Sequence, residues 1–288
     1  MPRTRRRRRF GAALLGVALL AAQATLISQA ATAERGYWLV DGRGNVYEFG
    51  GAVFKGSAPS NAAVVSITAT PSGEGYWVAA ADGGVFTFGD ASFQGSLGSL
   101  RLNRPVVGMA ATGSGNGYWL VATDGGIFTF GDAPFQGSLG SLRLNSPVVG
   151  MAATGSGNGY WLVAADGGIF TFGDAPFRGS LGGQQLSHPI VGMAATPDGD
   201  GYWLVDSAGK VFAFHAAHFG DAGAVAAPVA GIAPTPGGDG YWLADAAGGV
   251  HAFGAAEHSG EADGCNLPAG IVGIAASGAG TVTSPPPA

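Results

Sequence analysis

The fold is decided by a stretch that reads Pro105-Val-Val-Gly-Met-Ala-Ala-Thr112, then Gly117-Tyr-Trp-Leu-Val121, a turn at Asp124-Gly125, and Gly126-Ile-Phe-Thr-Phe130. Each apolar run is short and is bounded by glycine-rich turns, a pattern typical of β-strands. A fourth, weaker run follows at residues 135–139. The stretch therefore predicts four short strands joined by tight turns.

The same unit recurs along the chain. Gly-Tyr-Trp begins at positions 36, 75, 117, 159, 201 and 240, and all six tryptophans lie in these triplets. A repeat near 42 residues with four strands is typical of propellers, in which blades surround an axis. We therefore expect an all-β fold, a six-bladed β-propeller of four-stranded antiparallel blades.

Both faces of the predicted strands are apolar. Tyr118 and Leu120 point to one side of the sheet, while Trp119 and Val121 point to the other. A sheet with water on one side would alternate more cleanly, so each blade is expected to be covered by neighbours on both sides. The tryptophans are then predicted to fill the space between blades rather than to stack on a ligand.

The two ends of the repeat array complement each other. The first Gly-Tyr-Trp, at Gly36, has no preceding copy of the Val-Val-Gly-Met strand, whereas residues 271–276 copy that strand with no Gly-Tyr-Trp after it. We expect residues 271–276 to complete the blade begun by residues 36–57. This pairing of the N- and C-terminal segments would close the ring.

The first residues have the pattern of a secretory signal peptide. A run of arginines is followed by an apolar stretch from Phe10 to Ala22, and Ala31-Thr32-Ala33 gives small residues at a cleavage site. The sequence predicts a signal peptide at 1–33, a propeller at 34–280 and a Pro-rich tail at 281–288. We expect a secreted or extracellular protein that is associated with the cell envelope, with no membrane insertion after cleavage.

The composition and the charge of the chain limit its fold class and the kinds of partner it can bind. Only 11% of the residues are charged, while 47% are hydrophobic and 53 of 288 are glycine, which argues against both a disordered tail and a helical domain. Cleavage after residue 33 leaves eight basic and 19 acidic residues, a net charge of −11. An acidic surface repels phosphate backbones, so nucleic acid is not an expected partner.

We expect the protein to be a monomer without cofactors. The lone cysteine, Cys265, is expected to be buried.

Repeated polar residues give the first candidate binding site. Asp90, Asp132 and Asp174 follow Phe-Gly in three units, and on the strand assignment they share an end with the loops that carry Asn116 and Asn158. A polar rim of this kind could bind sugar hydroxyls or calcium. Capping of turns by aspartate is the alternative, and the pattern favours it.

Histidines give a second, weaker candidate. His215, His218, His251 and His258 fall in the last two units, where neighbouring blades could bring them around zinc. No spacing fixes such a site, so the sequence predicts no metal. The chain also lacks G-x-S-x-G, a phosphate loop and any Cys/His nucleophile pattern, and near-identical units favour binding over catalysis.

The repeat resembles known families. The run from Pro105 to Gly140 is similar to the repeat arrays of secreted actinobacterial proteins, which are often accessory to hydrolase domains, and the likeness covers the chain after residue 33. Asp124-Gly125, Phe130-Gly131 and Gly137-Ser-Leu-Gly140 are distantly similar to the regulator-of-chromosome-condensation repeat. A tryptophan before a hairpin also resembles tectonin and tachylectin lectin propellers. These resemblances imply a propeller, and the last implies lectin activity.

Three functions are open at this stage. The leading hypothesis is a non-catalytic, exported binding or scaffolding module at the cell envelope, with glycans or another envelope protein as partner. One alternative is a secreted hydrolase with a site on the propeller axis, built from residues such as His215, His251 and Glu257. The other is a purely structural repeat protein.

Overall fold

The computed structural model describes residues 36–278, which form an all-β structure of eighteen strands without helices. The predicted signal peptide at 1–33 and the Pro-rich tail at 281–288 lie outside the described residues, so both remain predictions. Each blade has an inner, a middle and an outer strand, which follow in that order along the chain in blades 2 to 6, whereas the inner strand of blade 1 comes from the end of the chain.

The middle strands carry the Gly-Tyr-Trp triplets and are buried along their whole length. They are β1 (Gly36–Asp41), β4 (Tyr76–Ala80), β7 (Gly117–Ala122), β10 (Gly159–Ala164), β13 (Tyr202–Asp206) and β16 (Gly240–Asp245). The outer strands are β2 (Val46–Gly50), β5 (Val85–Phe88), β8 (Ile127–Gly131), β11 (Ile169–Gly173), β14 (Val211–Phe214) and β17 (Val250–Gly254).

The inner strands carry the Val-Val-Gly-Met pattern. They are β3 (Val64–Ala69), β6 (Val106–Ala111), β9 (Val148–Ala153), β12 (Ile190–Ala195), β15 (Val229–Pro234) and β18 (Ile271–Ser277). Each inner strand contacts the inner strands of both neighbouring blades, and β18 contacts β3, so the six form a closed ring. The axis of the fold therefore runs between the inner strands.

The strands form six antiparallel sheets in the order inner, middle, outer. Blade 1 is β18-β1-β2, and blades 2 to 6 follow along the chain as β3-β4-β5 through β15-β16-β17. The prediction of six blades is confirmed. The chain is a six-bladed β-propeller.

The predicted fourth strand does not form. The segments after the outer strands, which we name the seam segments, lie at 51–58, 90–97, 132–139, 174–181, 216–222 and 255–262, and none is a strand. Their backbone groups bond elsewhere: Pro134 O accepts from Trp119 Nε1 at 2.8 Å, and Gly137 O accepts from the Tyr160 hydroxyl of the next blade at 2.6 Å. Each blade has three strands because this segment holds two blades together instead.

Tryptophan and tyrosine fill every seam between blades. Trp119 packs against Tyr160 of the next blade with ring centroids 5.6 Å apart, and the same pairing recurs at the other seams. All twelve rings are buried. Burial raises the pKa of Tyr160, and backbone hydrogen bonds offset that effect only in part, so the hydroxyl stays a donor. The prediction that the tryptophans lie between blades is confirmed.

Glycine in the seam segments allows neighbouring blades to approach each other closely. Gly137 has a φ of 138°, and a Cβ there would lie 2.5 Å from Cδ1 of Phe172 in the next blade. The corresponding glycine of each blade faces a phenylalanine in the same way, including Gly260 of blade 6 against Phe49 of blade 1. The high glycine content therefore serves close packing as well as turns.

The ring closes through the two ends of the array. β1 pairs with β18 from Gly36 opposite Ser277 to Asp41 opposite Ile271, with a shift between Val40 and Asp41 that also occurs in the other blades. At the seam between blade 6 and blade 1, which we name the closing seam, Trp242 packs on Tyr37 with ring centroids 5.4 Å apart. The predicted pairing of the terminal segments is confirmed.

Deleting residues 268–288 should abolish cooperative unfolding, because blade 1 then loses its inner strand and the ring opens. Near-ultraviolet circular dichroism during thermal unfolding measures this through the six buried tryptophans. Deleting only 279–288 is the control and should leave the transition in place. A 268–288 deletion that melts like the parent would show that the ring does not depend on β18.

Candidate functional site

The propeller has two different faces. The loop face carries the connections from inner to middle strands, at 70–75, 112–116, 154–158, 196–201 and 235–239. Neighbouring loops touch at glycines there, since a Cβ on Gly199 would lie 2.9 Å from the amide of Gly155. The turn face carries the hairpins from middle to outer strands and the linkers that lead to the next blade.

The predicted aspartates lie on the loop face, where each accepts hydrogen bonds from two hydroxyl groups of a loop. We name this arrangement the latch. Asp132 accepts hydrogen bonds from the hydroxyls of Thr112 at 2.8 Å and Ser114 at 2.5 Å. The same latch forms in blades 2 and 4, where the pairs of hydroxyls and their carboxylates are Thr70 and Ser72 with Asp90, and Thr154 and Ser156 with Asp174. Both carboxylate oxygens thus have partners within the blade.

Asn116 and Asn158 lie at the same end, as predicted. The carbonyl oxygen of Asn116 accepts from the Asp132 amide at 3.2 Å, and that of Asn158 accepts from the Asp174 amide at 3.3 Å. Both residues are exposed. The structure thus brings each Asp and Asn of one blade together, while a ligand at this rim remains a prediction.

Aspartates on the turn face cap the hairpins. Asp124 accepts from the Gly126 amide at 3.0 Å. In blade 1 the aspartate stands two positions earlier, where Asp41 is buried and accepts from the amides of Arg43 and Asn45, each at 2.9 Å. Turn capping explains why an aspartate stays near this turn in every blade.

The four histidines each face a carboxylate of their own blade. His218 Nε2 lies 3.1 Å from Asp221, and His258 Nε2 lies 3.4 Å from Glu261. The other two pairs are His215 with Asp200 at 2.9 Å and His251 with Asp245 at 3.6 Å. Within residues 36–278, no three His, Cys, Asp or Glu side chains come together in a group that could hold a metal.

His215 has an unusual backbone. Its φ of 52° is the single positive value among the non-glycine residues that the structure describes, and the equivalent position is glycine in the other blades. Its Nδ1 lies 2.9 Å from a carboxylate oxygen of Asp200, which also pairs with Arg178 of blade 4. The arrangement ties the loop of blade 5 to the preceding seam segment, and it leaves the His215 side chain half exposed.

The axis holds a cavity of about 150 Å³, lined by inner strands of all six blades. Each inner strand contributes a bulged residue such as Val107, followed in five blades by glycine and in blade 2 by Ser66. His215, His251 and Glu257 do not line it. The hydrolase alternative therefore loses the three residues that were expected to form its axial site.

A row of exposed aromatic rings escaped the sequence reasoning. Phe93, Phe135 and Phe177 are each 61% exposed and Phe54 is 48% exposed, all at one position of the seam segment. The sequence pattern predicts Phe135 in a fourth strand, and the exposure of its ring does not follow from that pattern. The signal was present in blades 5 and 6, where His218 and His258 occupy this position, a replacement that a packed core seldom accepts.

The lone cysteine was also placed wrongly, since Cys265 is exposed. Its amide bonds Ala262 O as the amide of Leu142 bonds Leu139 O, so Cys265 stands at the linker position that Leu142 occupies in blade 3. Leu142 is itself 60% exposed. The preference of free cysteine for burial is overridden by an exposed position of the repeat.

Comparison with known proteins supports the fold alone. No protein family and no curated protein sequence matches the chain. A chain in a crystal structure of a nidogen/laminin complex superposes with a TM-score of 0.61 at 11% identity, covering 84% of this chain and 98% of that one. The β-propeller domain of Myceliophteria thermophila Cps50 (Swd1) gives 0.46 at 11% identity, with 74% and 70% covered, a score too low for any argument. No helix able to span a membrane occurs in residues 36–278.

Replacing Asp132 by Ala should lower the free energy of unfolding by about 1–3 kcal/mol, because two hydroxyls of the loop lose their acceptor. Urea denaturation followed by tryptophan fluorescence measures the change. Asn116→Ala is the control and should cost almost nothing, since its side chain makes no hydrogen bond within the described residues. Equal stability of Asp132→Ala and the parent would contradict the latch.

Proposed function

We propose that this chain is an exported, non-catalytic binding module that holds a glycan of the cell envelope at several equivalent weak sites. The fold is a propeller, which is consistent with binding or scaffolding. The observation that carries the proposal is the row of exposed phenylalanines, Phe54, Phe93, Phe135 and Phe177, which recurs in blades 1 to 4.

Exposed aromatic rings call for a ligand. Each of these rings leaves about half or more of its surface in water, and the transfer of such apolar surface from water to a ligand is favourable. A phenyl ring offers a flat apolar face, and the C–H face of a pyranose ring is flat and apolar too. In blades 2, 3 and 4 the ring also lies three residues after the aspartate that holds the loop, as Phe135 follows Asp132, so it is close in sequence to polar groups suited to sugar hydroxyls.

The repeated surface of the blades suits a ligand that is itself a polymer. Blades 3 and 4 are nearly identical, so they present the same surface twice, one blade step apart. A glycan with repeating sugars can occupy neighbouring sites at once, and linked weak sites gain affinity through effective concentration. A hydrolase needs one asymmetric set of groups, whereas blades 3 and 4 present the same groups twice.

Export and envelope location rest on residues 1–33, whose arginines, apolar run and Ala-x-Ala end fit a secretory signal. A protein partner at the envelope would use the same exposed positions. A purely structural role would leave four solvent-exposed phenyl rings without a purpose, and for that reason we favour binding.

Binding to an array of bacterial and host glycans tests the proposal. The variant Phe93→Ala/Phe135→Ala/Phe177→Ala should lose most of the glycan-binding signal. Each substitution removes one of the weak sites whose linkage raises the overall affinity. Leu100→Ala/Leu142→Ala removes exposed apolar side chains from the turn face instead and should keep it. Silence of the parent across the array, or binding that survives the triple variant, would contradict the proposal.

A further inference from the structure

The turn face holds a groove beside blade 3, which we name the blade-3 groove. It is lined by the hairpin residues Thr123 and Asp124, by the linker 142–147 and by Arg104 of the preceding linker. The linker is tied to the hairpin at both ends, by Leu139 N to Gly125 O and by Val148 N to Thr123 O. The volume is 450 Å³, within the range of ligand sites at about 300–1,000 Å³.

The groove is cationic in an acidic molecule. Residues 36–278 contain seven basic and 18 acidic residues. Arg104 and Arg143 line the groove, both are exposed, and neither has an ion pair or hydrogen bond among the described residues. The one carboxylate of the lining, Asp124, is bonded to the Gly126 amide. Two guanidinium groups therefore remain available for an anionic ligand.

The groove is also apolar on one side and has a neighbour of the same build. Leu142 stands beside Arg143 and is 60% exposed, and its equivalent Leu100 is 59% exposed. Leu100 lines a second groove of 420 Å³ beside blade 2, and Arg104 belongs to the lining of both. The two grooves are thus adjacent, and the carboxylate of the second groove, Asp82, is bonded to the Gly84 amide as Asp124 is bonded to that of Gly126.

We propose that these two grooves bind an extended peptide segment in which acidic and apolar residues alternate. The guanidinium groups of Arg104 and Arg143 donate paired hydrogen bonds to the carboxylates of the peptide, and Leu100 and Leu142 pack against its apolar side chains. No aromatic ring lines either groove, so a sugar would find no stacking surface here. The site is separate from the phenylalanine row and does not depend on the glycan proposal.

The chain supplies its own control. In the linker between blades 4 and 5, Gln184 and Gln185 stand where Leu142 and Arg143 stand in the previous linker. Glutamine at these positions is therefore compatible with the fold. The exchange Leu142→Gln/Arg143→Gln removes the proposed contacts, and the reverse exchange Gln184→Leu/Gln185→Arg builds them one blade further on.

Fluorescence anisotropy of a short labelled peptide of alternating Glu and Leu, titrated with the full chain, tests the proposal. The parent should bind it, more weakly at high salt, and should not bind a matched Gln and Leu peptide. Leu142→Gln/Arg143→Gln and Arg104→Gln should each weaken binding about tenfold. Gln184→Leu/Gln185→Arg should strengthen it. Lys210→Gln, an equal charge change outside the grooves, should have little effect.

Thermal unfolding of each variant confirms that the ring is intact, so that a loss can be assigned to the groove. Equal binding of the charged and uncharged peptides would overturn the proposal, as would full affinity in Leu142→Gln/Arg143→Gln. Binding of polygalacturonate in the grooves without binding of the peptide would overturn it too, because the occupant would then be an acidic glycan.

Discussion

The contact of one buried tryptophan with the tyrosine of the next blade holds this structure together. Each blade has only three strands and cannot bury both of its faces alone. Trp119 against Tyr160 buries one face of each neighbour, and the Tyr160 hydroxyl fixes the backbone of the seam segment at Gly137. Because the contact recurs at every seam, including Trp242 on Tyr37, the ring has no exposed blade face.

Packing at the seams also limits which positions can differ between the six blades. The tryptophan and tyrosine that pack between blades are the same in all six units. The exposed position of the seam segment holds phenylalanine in four blades and histidine in two, and the linkers change from Leu142-Arg143 to Gln184-Gln185. Both proposed binding surfaces lie at these variable positions, where a change of partner need not disturb the fold.

The sequence alone predicted the blade count, the closing strand and the buried tryptophans, because these follow from periodicity and from complementary ends. It did not predict that residues 132–139 leave the sheet, since the cause is a hydrogen bond from Tyr160 in the next unit. The same error hid the exposure of Phe135. The rim was foreseen in part: Asp132 and Asn116 do meet, but the hydroxyl partners Thr112 and Ser114 became visible only with the fold.

The most direct test of the closed ring compares two tryptophans, one at an internal seam and one at the closing seam. Trp161→Ala and Trp242→Ala remove equivalent rings, and each should lower the free energy of unfolding by about 3–5 kcal/mol. Chemical denaturation measures both values. Equal losses would show that the closing seam contributes as much to the free energy of unfolding as an internal seam. A small loss in Trp242→Ala beside a large one in Trp161→Ala would show that the ring is open there.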